Sequence, residues 1–260
     1  MKKMIASFLH KLLFAIFAVI ILIATWHLIV VFGGFNHALF PPPLVVFATL
    51  RDMISSGEIF VHIRISLWRF FVGYSLAVFV GLVLGLIVGR VNFLSKLVEP
   101  LIQLIRPVAP VAWLPFIVLL FGIGDMPAIM VIFIAAFYPV LMSTITGSKK
   151  VDKRYMDVAK MFEIKQPQVF LKIILPAIFP YIANGMHMGL GTAWVFLVAG
   201  EMMGVRSGLG FLIMDSRNNM QPEVLLATIC VIALLGLSLD KIITLFESRV
   251  NKHWGIGEGE

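Results

Sequence analysis

Charge is what this sequence has least of. Only 13% of its 260 residues are Asp, Glu, Lys or Arg, against 60% hydrophobic, with a mean hydropathy of +0.99. A soluble domain of this size needs far more polar exterior, so a water-soluble fold is excluded and an all-α integral membrane protein, one membrane domain over 1–260, is indicated. There is one cysteine, Cys230; it makes no intramolecular disulfide, and in its apolar run it reads as a small buried or lipid-facing side chain. No glycine-rich phosphate loop ending in Lys-Ser/Thr occurs, so ATP is not hydrolysed here by that route. The six histidines never stand with carboxylates at metal-ligand spacing, which leaves no catalytic or metal residue to nominate. No internal repeat of the kind that builds secondary transporters is visible. Acidic residues are the scarcer sign, 14 against 21 basic, for a net charge of +7. With no basic stripe interleaved with aromatics, nucleic acid is not the partner; the excess fits the lysines and arginines of cytoplasmic loops.

Six apolar spans are expected, at about 12–32, 67–89, 97–121, 127–145, 177–203 and 222–246. The N-terminus has the basic flank of a signal peptide, but its apolar core is too long and no small-x-small site follows, so it reads as a retained first span. Gly81, Gly85 and Gly89 strip one face of the second span of bulk and invite a neighbouring backbone. Pro100, Pro107, Pro110 and Pro115 break the third region, and such backbone survives in lipid only when protein or a wet cavity covers it.

With the N-terminus inside, the inner flanks hold Lys2, Lys3, Lys11, Arg90, Lys96, Arg106, seven basic residues from Lys149 to Lys172, and Lys241, Arg249 and Lys252. The outer flanks hold Arg51, Arg64, Arg69, Arg206 and Arg217. This distribution places both termini in the cytoplasm. It places there also the one long polar interruption of the C-terminal two-thirds, residues 152–176. Tyr155, Val158, Ala159 and Phe162 fall on one face of an amphipathic helix in that stretch, with Lys153, Asp157 and Lys160 opposite. Intramembrane ionisable groups are few: His27, His187, Glu201 near a span end and the Asp240-Lys241 pair. Ion-coupled carriers usually need more of them near the midplane, so the work of transport is expected to come from outside, through the 152–176 segment.

For the path itself, four residues are candidates. Arg106 precedes a proline in the broken region and would attract an anion, or else anchors the helix at the inner surface. Trp113 and Trp194 are gate candidates or packing aromatics. Glu201 is expected near the outer surface, in contact with a partner or at an outer gate.

Asp157-Val158-Ala159, then Glu163, then Ile173-x-Leu175-Pro176 resembles the cytoplasmic signature of permease subunits of binding-protein-dependent ABC importers. That signature runs Glu-Ala-Ala, three residues, Gly, nine residues, Ile-x-Leu-Pro. The spacing agrees throughout, with Asp157, Val158 and Glu163 as departures. Glu163 in place of glycine suggests a turn with ordinary backbone angles or an altered angle between the two short helices. Leu101–Asp125, Val198–Asn218 and the prolines at Pro41 resemble the nitrate/sulfonate/taurine branch. The resemblance implies a type I permease fold in a bacterial-type cytoplasmic membrane, and a permease homodimer in the lipid bilayer. It also implies two cytoplasmic ATPase subunits carrying ATP-Mg, an extracytoplasmic substrate-binding protein, and no cofactor on the chain itself. It further implies that the helix bearing Tyr155, Asp157, Val158, Ala159, Lys160, Met161, Phe162 and Glu163 couples to the ATPase, with Ile173, Leu175 and Pro176 closing the segment. The competing readings are a self-sufficient channel or secondary carrier, and a membrane scaffold without substrate.

Overall fold

The computed structural model describes residues 2–34, 36, 39–151 and 161–254; Tyr155, Asp157, Val158, Ala159 and Lys160 lie outside them. Among the described residues every regular element is helical. In chain order these are α1 (Lys2–Phe32), α2 (Pro43–Ser56), α3 (Glu58–Arg90), α4 (Asn92–Ile105), a 3-10 turn (Pro110–Trp113), α5 (Leu114–Phe121) and α6 (Asp125–Lys150). A short α7 (Gln166–Val169) and a π-helical turn (Phe170–Ile174) then lead into α8 (Leu175–Gly204), followed by α9 (Leu209–Asn218) and α10 (Pro222–Trp254).

Four described helical segments are long and apolar enough to cross a bilayer: Glu58–Arg90, Asp125–Lys150, Pro167–Gly204 and Pro222–Lys252. A fifth is added if α4 and the segment Pro110–Phe121 are taken as one span bent by 84°. That bend falls where Pro107 and Pro110 remove backbone donors, as expected of the broken region. Within α1, Ile16–Phe32 is a shorter apolar helix. The helix expected over 67–89 begins instead at Glu58, so Arg64 also sits within it and not on a loop.

The chain divides into two compact units. One comprises residues up to Phe60 with Leu212–Val231. Its α2 starts on Pro43, where the missing N–H costs nothing, and stops at Gly57 in the left-handed region. Its apolar cavity, about 420 Å³, is lined by Leu22, Trp26, Phe40 and Cys230 among others.

The larger unit runs from Val61 to Phe211 and resumes at Ile232. Its centre is α6, which small residues let two helices approach. A Cβ on Gly85 would stand 2.6 Å from that of Thr144, and one on Gly89 2.6 Å from that of Ser148. The four-residue glycine ladder of α3 therefore lies against α6. On the other side Gly185 of α8 meets Ser143, and Gly200 meets Ala128. Lipid supplies no hydrophobic drive between helices, so contact of this closeness is the main source of cohesion. Phe70, Tyr74, Ile132, Ala136, Leu190, Trp194 and Leu197 form the largest core cluster there. Lys149 at the far end of α6 pairs with Glu99 of α4.

Candidate functional site

His62, Ser66 and Arg69 follow one another at steps of four and three along α3, which sets them on one face of the helix. All three meet the loop that joins α8 to α9. His62 Nδ1 lies 3.1 Å from both the amide nitrogen and the carbonyl oxygen of Gly208, and the Leu209 N–H donates to Ser66 Oγ at 2.8 Å. Arg69 Nη1 donates to the Ser207 carbonyl at 2.6 Å, and Nη2 to the Ser207 hydroxyl at 3.0 Å.

Arg69 is 1% exposed and Glu201, on α8, is 0% exposed. Charges so placed persist only when paired and hydrogen-bonded. Here they are: Nη1 of Arg69 donates to Glu201 Oε1 at 2.7 Å, the Ser66 hydroxyl lies 2.9 and 2.8 Å from the two carboxylate oxygens, and the Gly210 N–H donates to Oε2 at 2.9 Å. A Cβ on Gly208 or Gly210 would collide with Glu201, so the loop closes on the carboxylate only with glycine at these two places. The other edge of the guanidinium is taken by Asp125, the first residue of α6. Its Oδ1 accepts from Nε at 2.8 Å and from Nη2 at 2.6 Å. Two segments distant in sequence, the start of α6 and residues 201–207, thus converge on one buried arginine of α3.

Of the four candidate path residues, the structure brings two together. Arg106 and Trp113 line a cavity of about 290 Å³ at the break between α4 and α5, with Tyr138 and Pro139 of α6 and Thr192 and Phe196 of α8. The Arg106 guanidinium stands 5.8 Å from the centre of the Tyr138 ring, a cation–π distance. Trp194 is elsewhere: its Nε1–H donates to the Ile232 carbonyl at 3.2 Å, its ring meets Phe70 edge-on at 5.4 Å, and it packs against Gly236. Glu201 is enclosed in the arginine cluster and offers no surface to a docking partner in this conformation. Arg69, which the sequence reading counted as an outer flank, is the residue it missed; the run of His62, Ser66 and Arg69 on one face of an apolar helix was the available signal. His187 of α8 is also engaged, with Nε2 2.7 Å from Glu247 Oε2 and Nδ1 3.5 Å from Asp240 Oδ1.

At the other end of the unit, Met161 and Phe162 are 83% and 75% exposed. Glu163 has φ +51°, so the expectation of ordinary backbone angles at the glycine position is corrected: the turn takes the left-handed conformation that glycine adopts most easily. The segment then re-enters the core, where Val169, Ile174, Ile178 and Ile182 are buried with Ile173 and Leu175 packed against them. Pro176 follows at the second position of α8, directly after the π-helical turn.

Residues 77–252 match the family described as binding-protein-dependent transport system inner membrane component. Over 239 residues the chain is 34% identical to an aliphatic sulfonates transport permease of Bacillus subtilis, covering 92% of this chain and 87% of the relative. It is 30% identical to the nitrate import permease NrtB of a Synechocystis strain, with 96% and 94% covered, and 30% identical to the taurine transport system permease TauC of Escherichia coli, with 90% and 87% covered. A match over most of the helical unit, with relatives aligned along nearly their whole length, places this chain in the family of inner membrane permease components of binding-protein-dependent ABC transport systems, in its nitrate/sulfonate/taurine branch.

Proposed function

We propose that the chain carries a small oxyanion, of the sulfonate or nitrate kind, from an extracytoplasmic binding protein to the cytoplasm as one half of a permease homodimer. Six spans, with Ile16–Phe32 in the first and the bent α4–α5 pair as the third, put both termini and residues 152–176 on the cytoplasmic side. The work comes from ATP-Mg bound in separate ATPase subunits, and residues 155–163 dock in them. Nucleotide-driven closure of the ATPases then shifts the permease between inward- and outward-open states.

The observation that carries this reading is the exposed pair Met161–Phe162 beside a left-handed turn at Glu163. Large apolar side chains so exposed at the edge of a membrane protein favour a protein partner, and the turn separates Met161 and Phe162 from the segment that runs through Ile173, Leu175 and Pro176 into α8. Force applied to the first is thereby passed to a long helix of the core. For the path, Arg106 at the rim of the Trp113–Tyr138–Thr192 cavity supplies one positive charge in largely apolar surroundings, which suits a single small anion.

Co-expression with an ABC ATPase subunit from the same genome tests the reading. Deletion of residues 155–163 is expected to abolish co-purification of the ATPase while the helices remain folded by circular dichroism. Uptake by the chain alone in liposomes without ATP would overturn the proposal in favour of a self-sufficient carrier.

A further inference from the structure

The two carboxylates on Arg69 are held in different ways. Glu201 is fully buried, uses both oxygens, and lies beneath a loop packed against it at Gly208 and Gly210. Asp125 has a side chain 59% exposed and meets Arg69 through one oxygen. The turn that carries it is also built for freedom. Gly122 and Gly124 take φ of +75° and +157°, values that side chains resist, yet nothing lies within 4 Å of where a Cβ would stand on either. Glycine serves the backbone there and not close packing. The turn is tied back by the Gly124 N–H, which donates to the Gly204 carbonyl at 3.0 Å, and by Asp125.

Breaking the two ion pairs has unequal consequences. Water readily replaces Arg69 at a half-exposed carboxylate, whereas Glu201 without Arg69 becomes an uncompensated buried charge. A cavity of about 340 Å³ already adjoins the contact, lined by Arg69, Ile123, Asp125, Arg206 and Ser207 among others. If the turn and the loop part, the bond to Asp125 is the one that gives.

We propose that Asp125 is a positioning residue for transport, holding the 122–125 turn against Arg69 in this conformation and releasing it when the adjoining cavity opens, while Glu201 remains on Arg69 throughout. The proposal uses the permease reading only in naming transport, since the release is measurable on the chain alone.

The test uses the full-length chain in lipid nanodiscs, with Cys230→Ala and the pair Ile123→Cys and Arg206→Cys. The rate of intrachain cross-linking by a short thiol reagent is read by mass spectrometry. Asp125→Asn is expected to slow the cross-link severalfold with the thermal midpoint unchanged, and Asp125→Glu to restore it. An unchanged rate in Asp125→Asn overturns the proposal. Should that variant fold poorly, hydrogen exchange on the chain with Asp125 intact decides. The Gly124 amide should exchange much faster than the Gly210 amide, although both are hydrogen-bonded, and equal protection overturns the proposal. If release is seen but ATP-driven uptake fails for the unsubstituted chain in its reconstituted complex, the permease reading falls and the release stands.

Discussion

At one end of α6 the polar chemistry is closed on itself; beyond the other end apolar side chains are left open. Around Asp125, a buried arginine, two carboxylates, two serine hydroxyls and the 207–210 backbone satisfy one another. Past Lys150, Met161 and Phe162 stand exposed. The difference teaches where each region looks for its partners. The first finds them within the chain; the second, on the function proposed above, finds them in another protein.

The largest effect that would break this comparison is at Arg69. Arg69→Met leaves Glu201 buried and unpaired, a loss of about 3–5 kcal/mol, read as a collapse of the monodisperse peak in detergent size-exclusion chromatography. Adding Glu201→Gln, which keeps an acceptor for the Gly210 N–H without the charge, should recover much of that loss. If the double variant is no better than the single, the cluster is not an ion-pair device.

Phe162→Ser works in the opposite sense, costing partner affinity and not stability. Burial of a phenylalanine side chain contributes about 1.5–3 kcal/mol, so binding of the ATPase is expected to weaken roughly ten- to a hundredfold with the thermal midpoint of the chain unchanged. A lowered midpoint would mean that Phe162 belongs to the core and that the two regions are alike.

The smallest effect sharpens the open side. Glu163→Gly removes a side chain from a left-handed backbone position and should stabilise the turn by about 0.5–1 kcal/mol, since the strain relieved exceeds the extra freedom glycine gains in the unfolded chain. Slower hydrogen exchange over 161–165 is the readout; faster exchange would show that Glu163 makes a contact worth more than its strain.

How much of this was legible beforehand varies residue by residue. The Gly81, Gly85 and Gly89 ladder announced a close helix contact because helical spacing alone aligns the three, and α6 is what they meet. The prolines from Pro100 to Pro115 announced a broken span because each removes a donor, and an 84° bend lies among them. Arg106 and Trp113 were separate candidates in the sequence, and only the structure sets them on one cavity. Arg69 was not legible in the same way. Its role depends on Asp125 and Glu201, which local periodicity cannot bring to it, and counting basic residues by flank treated it only as an outer-side charge. Trp194 illustrates the converse: an aromatic in an apolar span reads equally as gate or core until its neighbours Phe70, Ile232 and Gly236 are known.

By itself, then, the sequence determined that this is a helical membrane chain and roughly where its helices run. Those properties follow from composition and from periodicities of a few residues, which need no tertiary partner to be read. Tertiary structure alone decided which charges are buried, which arginine is shared and which glycines face empty space. These depend on contacts between residues more than a hundred positions apart, as between Ser66 or Arg69 and Glu201. Only the packing of α3, α6 and α8 brings such groups within reach of a hydrogen bond.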